Sequence, residues 1–123
     1  MSQKKAPLIV EWRGRPVPIN RKFGVCRGRM HTTREYRDFV VSMAWTIFAA
    51  WREALTGRIR VSLELCIPER MDVDAVVKPC YDAIQLSGIV ADDNQIDHGA
   101  QDRVGAVKRG EESVIRFVIE EVR

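Results

Sequence analysis

Two histidines and three cysteines are all that this 123-residue chain offers to soft-metal or disulfide chemistry. Cys26, Cys66 and Cys80 form an odd set with no Cys-x-x-Cys spacing, a pattern that argues against a zinc knuckle and a disulfide framework and reads as reduced thiols. No apolar stretch approaches the roughly eighteen uncharged residues of a membrane span, so no membrane partner is expected. The opening Met1-Ser2-Gln3-Lys4-Lys5-Ala6-Pro7 is polar and leads into no apolar leader core, which makes a cytoplasmic protein the expectation. Repeats and low-complexity segments are also missing. Tyr36, Phe39, Trp45, Phe48 and Trp51 mostly follow helical spacing, so they read as core or interface rather than as platforms for stacking bases.

What is present is charge, unevenly divided. With 46% hydrophobic and 30% charged residues, residues 1–123 read as one globular domain. Residues 1–70 hold 14 Lys and Arg against 6 Asp and Glu, whereas residues 71–123 hold 6 against 11, so a net charge of +8 meets one of −5. The early positive charge, through Arg13, Arg15, Arg21, Lys22, Arg27, Arg29, Arg34 and Arg37, suits a polyanion, and nucleic acid is the first partner to consider. Six aspartates between Asp72 and Asp97 sit beside it. Carboxylates crowded against a phosphate-binding surface are explained by a bound divalent cation.

The pattern along the chain predicts strand, helix, strand, helix, strand, strand, an α+β domain with a mixed or antiparallel sheet and two main helices. A short strand at 8–12 leads through Pro16 and Pro18 into a basic loop over about 13–32, expected to be mobile from residue 20 onwards. Thr32-Thr33-Arg34-Glu35 fits a capping box before a helix from about Thr33 to Leu55, stopped by Gly57. Alternation from Ile59 to Ile67 marks the clearest strand, ended by Pro68. A second helix, capped by Asp74, is expected to run to about Leu86, with Pro79 implying a late start or a lost backbone bond. A turn at Asp92-Asp93-Asn94, a patchy extended stretch over 95–107 and a closing strand at 114–119 complete the reading.

Asp72 and Asp74, two apart at a strand–helix junction, point to one side if that junction is extended, and Lys78 returns to the same face one turn later. Asp92 or Asp93 can complete an oxygen-rich site. Hard oxygen ligands without His or Cys select Mg2+, with Mn2+ as a substitute, and suit phosphodiester hydrolysis. Taken singly, Asp74 also reads as a helix cap, the Asp92–Asn94 run as a solvated turn and Lys78 as a surface charge. His31 and His98 receive no chemical role.

The chain resembles the RusA-type Holliday junction resolvases over nearly its whole length. The resemblance is carried by Pro16-Val17-Pro18-Ile19-Asn20-Arg21, Arg27-Gly28-Arg29-Met30-His31-Thr32, Tyr36-Arg37-Asp38, Asp72-Val73-Asp74-Ala75-Val76-Val77-Lys78-Pro79, Tyr81-Asp82-Ala83-Ile84 and Gly88-Ile89-Val90-Ala91-Asp92-Asp93-Asn94-Gln95-Ile96. It implies a homodimeric endodeoxyribonuclease that cuts four-way DNA junctions in recombination and repair, leaving a 5′-phosphate and a 3′-hydroxyl. Asp72, Asp74 and Asp93 then correspond to the metal-binding catalytic carboxylates and Lys78 to the catalytic lysine. Asn20, Arg21, Lys22, Arg27, Arg29 and Arg103 are the expected DNA contacts. Ala75 stands where the family usually has Asn, and Arg103 where a Lys is expected. The alternative function is a junction-binding protein of the same fold with attenuated catalysis.

Overall fold

The computed structural model describes residues 7–51 and 55–122, apart from the side chains of Cys26 and Asp93. The chain runs through β1 (Leu8–Gly14), a 3-10 turn at Ile19–Arg21, β2 (Phe23–Cys26), β3 (Arg29–Thr32), α1 (Arg34–Ala50), β4 (Ile59–Pro68), α2 (Val73–Ser87), a second 3-10 turn at Asp93–Gln95, β5 (Ile96–Val107) and β6 (Ser113–Glu121). Four strands form one sheet in the order β1-β6-β4-β5, and β2 and β3 form a separate hairpin.

The alternation in β4 places this strand at the centre. Ile59, Val61, Leu63, Leu65 and Ile67 all face the core and are fully buried, each adding roughly 1.5–3 kcal/mol of apolar burial. From β6, Ile115, Phe117 and Ile119 join them, and from the helices Met43, Ile47, Val76 and Ile84. β4 pairs antiparallel with β6 and parallel with β5, the two parallel strands being linked through α2. Pro68 therefore lies beside Val107 at one end of the sheet and Ile59 beside Ile96 at the other. This register decides which acids can meet.

Several boundaries differ from the sequence reading, for physical reasons. α1 stops at Ala50, with Trp51 extended and capping through its N–H to the Ile47 carbonyl at 3.0 Å. Leu55, expected to end the helix, instead forms a parallel bridge with Val90 and donates its N–H to the Ile89 carbonyl at 2.6 Å. Residues 52–54 lie outside the described part. α2 starts two residues earlier than expected, with Asp72 rather than Asp74 as N-cap. Pro79 lies inside it, which deprives the Ala75 carbonyl of its usual donor four residues on. The stretch 95–107 is one continuous strand, because parallel pairing to β4 supplies the hydrogen bonds that its patchy pattern does not advertise.

The segment expected as a mobile loop is ordered as the 3-10 turn and the β2–β3 hairpin. Arg27 and Gly28 at its tip both have positive φ, 53° and 76°, the pattern of a two-residue type I′ turn. Asn or Asp usually precedes the glycine there. Arg27 holds a left-handed conformation that a bulky residue adopts at some cost, and its guanidinium stands at the tip. Among the described side chains Cys66 and Cys80 are free, and burial pushes the Cys80 thiol far above the ordinary range. No described helix is long and apolar enough to cross a membrane.

Candidate active site

β4 ends at Pro68, and a turn closed by the Met71 N–H on the Pro68 carbonyl, at 2.9 Å, swings the chain into α2. Arg103 of β5 secures that turn. Its guanidinium donates to the Ile67 and Pro68 carbonyls, both at 3.1 Å, and to the Met71 carbonyl. The sequence reading groups Arg103 with the DNA contacts; the structure commits its planar fork to three carbonyls of the turn that delivers Asp72.

Asp72 is the N-cap of α2, yet its carboxylate makes no capping bond. An N-cap aspartate ordinarily accepts from an amide two or three residues on; here its oxygens stay available. Asp74 occupies the first turn, where the helix dipole favours an anion. Asp72, Asp74 and Ala75 line one hollow of about 400 Å³ with Ile19 and Val73. Among the described residues neither carboxylate has a hydrogen-bond or ion-pair partner.

One turn further along, Lys78 Nζ lies 4.0 Å from Asp82 Oδ1. Asp82 gathers three elements: its Oδ2 accepts from the Tyr36 hydroxyl of α1 at 2.8 Å and lies 3.9 Å from Lys22 Nζ, at the base of the hairpin. Lys22 also sits over the rings of Phe23 and Tyr36, at 5.2 and 5.5 Å. Burial, reinforced by the bond to Asp82, raises the Tyr36 phenol far above its ordinary value. Asp74, Lys78, Tyr81, Asp82 and His98 line a second cleft of about 320 Å³, so Asp74 borders both hollows. His98 stacks on Tyr81 with ring centroids 4.1 Å apart.

The sequence singles out Asp72, Asp74 and Lys78, and the structure gathers them on the first half of α2. Asn20 and Arg21 lie in the 3-10 turn whose Ile19 forms a wall of the acidic hollow. Thr33 fastens that segment through its hydroxyl to the Arg21 carbonyl at 2.6 Å and its N–H to the Lys22 carbonyl at 2.7 Å. Arg27 and Arg29 are exposed at the hairpin tip.

Asp93 is placed differently. Its side chain lies outside the described part, but its backbone opens the 3-10 turn before Ile96, at the Ile59 end of the sheet. Asp72 is at the Pro68 end, so the length of α2, about 20 Å, separates the two. Gln95 fixes the Asp93 turn: its amide donates to the Leu55 and Gly57 carbonyls at 2.8 and 3.0 Å, and its oxygen accepts from the Ala91 and Asp92 N–H groups at 2.8 and 3.0 Å. Asp82 is the residue of this cluster that sequence reasoning left without a role. Its signal was the run Asp74, Lys78, Asp82 at four-residue spacing, an alternating-charge ladder on one helix face.

A family model described as Endodeoxyribonuclease RusA matches residues 14–115. The chain belongs to the RusA endodeoxyribonuclease family. The RusA match opens at the end of β1 and closes within β6, so the hairpin, both helices and every site residue described above fall inside it. The family is that of the RusA-type Holliday junction resolvases, and the α+β fold expected from the sequence is the one observed. No curated protein matches the chain.

Proposed function

We propose that the protein is a Mg2+-dependent, structure-selective endodeoxyribonuclease that resolves four-way DNA junctions in the cytoplasm. The observation that carries this reading is the pair Asp72 and Asp74, sharing one hollow at the start of α2 without partners among the described residues, with Lys78 on the next turn. Among the described residues no group of three potential metal ligands occurs. Two exposed carboxylates fit Mg2+, which keeps several waters and is commonly held by one or two carboxylates plus substrate phosphate.

Asp72 and Asp74 would hold the ion, which when bound lowers the pKa of a coordinated water and neutralises charge on the phosphate. Lys78 supplies a cation at the adjoining cleft for a phosphate oxygen, and Asp82 limits where that ammonium can swing. Arg103 fixes the turn that sets the height of Asp72 against α2. Within one chain Asp93 is about a helix length from Asp72 and Asp74, so the site proposed here rests on those two acids. A role for Asp93 beside them would need a second copy, as in the homodimer with paired incisions that the resemblance implies.

The test is cleavage of a labelled four-way junction and of a linear duplex with Mg2+, with Mn2+ and with chelator. Metal-dependent, symmetric incision of the junction, lost in Asp72→Asn and Asp74→Asn while binding persists, is the expected result. One observation favours a second reading, a junction binder with attenuated catalysis: Ala75 lines the acidic hollow where an amide side chain would otherwise reach. Tight junction binding without incision under any metal establishes that reading instead.

A further inference from the structure

Among the described residues, some cations have a carboxylate partner and others have none. Arg13, Arg58 and Arg116 have carboxylate partners: Arg13 with Glu11 at 3.1 Å, Arg58 with Asp97 at 2.6 Å, and Arg116 with Glu11 and Glu64 at 3.2 and 3.1 Å. Arg15, Arg21, Arg70, Lys108 and Arg109 have no side-chain partner among the described residues, and all five line one groove of about 720 Å³. They come from three separate segments: the stretch after β1, the β4–α2 turn and the β5–β6 turn. Glu69 and Glu111 lie in the same groove, leaving five positive charges against two negative. Like charges gathered from distant parts of a chain raise the energy of the folded state unless a polyanion is taken up.

The position of the groove identifies that polyanion. Met71 lines the groove and the next residue, Asp72, lines the acidic hollow. On the other wall Arg21 faces the groove while Ile19, two residues earlier, faces the hollow. The basic track therefore runs directly into the metal-binding acids, as a channel for a phosphodiester strand would. The hairpin tip with Arg27 and Arg29 is a separate feature, and none of its residues lines this groove.

We infer that the groove between the β4–α2 and β5–β6 turns is a phosphate-contacting track for the duplex arm flanking the cut, with Lys108 and Arg109 as its outer contacts. The inference rests on the nuclease reading above. Its contacts are to backbone, so it positions DNA without reading sequence, and it serves a linear duplex as well as a junction arm.

The experiment measures the affinity of the full-length protein for a four-way junction and for a linear duplex across a salt series, with single-turnover cleavage at saturating protein. The Lys108→Ala/Arg109→Ala variant is expected to lower the slope of log affinity against log salt by about two, near 0.9 for each phosphate that is no longer neutralised, on both DNAs. Its cleavage rate at saturation is expected to match the parent's. Lys108→Arg/Arg109→Lys, which keeps both charges, should restore the slope, and Arg116→Ala, which removes a paired cation, should leave it unchanged. A parent that binds and cuts with a steep slope, beside a Lys108→Ala/Arg109→Ala variant of the same slope, overturns the track and leaves the nuclease reading intact. A parent that binds neither DNA overturns both.

Discussion

The Tyr36 hydroxyl donates to Asp82 Oδ2 at 2.8 Å, across 46 residues of sequence, and so joins α1 to the helix that carries the acids. Burial and this bond hold the phenol protonated far above its ordinary 10.0. Above pH 10 the unfolded chain loses this proton while the folded one keeps it, so the associated stability is complete below pH 10 and is lost as pH rises. Tyr36→Phe lacks that component. Its urea midpoint is expected to fall less steeply than the parent's between about pH 10 and 11, with Tyr81, also raised by burial, contributing alike to both.

Asp82 also stands between Lys22 and Lys78. Asp82→Asn keeps an acceptor for Tyr36 but leaves two ammonium groups without their shared counter-charge. Lys78 then loses the carboxylate it is paired with, and Asp74 one turn back is the acid left on its helix face. The single-turnover cleavage rate is expected to fall by about tenfold or more, as loss of positioning does, while junction affinity holds or rises because a negative charge has gone. Reduced affinity at an unchanged rate would show that Asp82 serves the DNA surface rather than the lysine.

The contrast between what was and was not legible follows from locality. β4 could be read because its five inward residues alternate within a single segment, and Asp72, Asp74 and Lys78 could be read because they share one helix half. The end of α1 could not, since Ala50 continues an apolar helical pattern and the hydrogen bond of Leu55 to Ile89, 34 residues away, is what claims the chain. The hairpin was hidden because Arg27-Gly28 is an unusual pair for its turn. Asp93 carries the right residue type but the parallel β4–β5 register places it at the far end of α2. The work of Arg103 depends on carbonyls at Ile67, Pro68 and Met71, which no sequence pattern announces.

Arg103→Lys separates support of the acids from contact with DNA. A lysine keeps the charge but replaces a planar fork with a point, and cannot hold three carbonyls in the same arrangement. If Arg103 sets the turn before Asp72, direct Mn2+ titration of the protein without DNA should show affinity reduced about 10- to 100-fold, the usual consequence of disturbing groups behind metal ligands. Saturating Mn2+ should then restore much of the cleavage. Unchanged Mn2+ affinity with a flatter salt dependence of DNA binding would return Arg103 to the DNA surface.

Ala75→Asn tests one of the two positions, with Arg103, where the sequence differs from what its resemblance leads one to expect. Ala75 is half-buried in the wall of the acidic hollow, and its N–H bonds the Asp72 carbonyl at 3.2 Å. Asparagine there would bring a carboxamide within reach of Asp72, Asp74 or a bound phosphate, at a helix-propensity cost of about 0.5 kcal/mol. Cleavage is therefore expected to quicken while the urea midpoint drops slightly. Opposite movement of rate and stability would locate the gain in the chemistry, because a variant that merely folded better would raise both. If the parent binds junctions without cutting and Ala75→Asn cuts, the acids are competent and the missing amide accounts for the attenuation; if neither cuts, the carboxylates themselves fail to form a working centre.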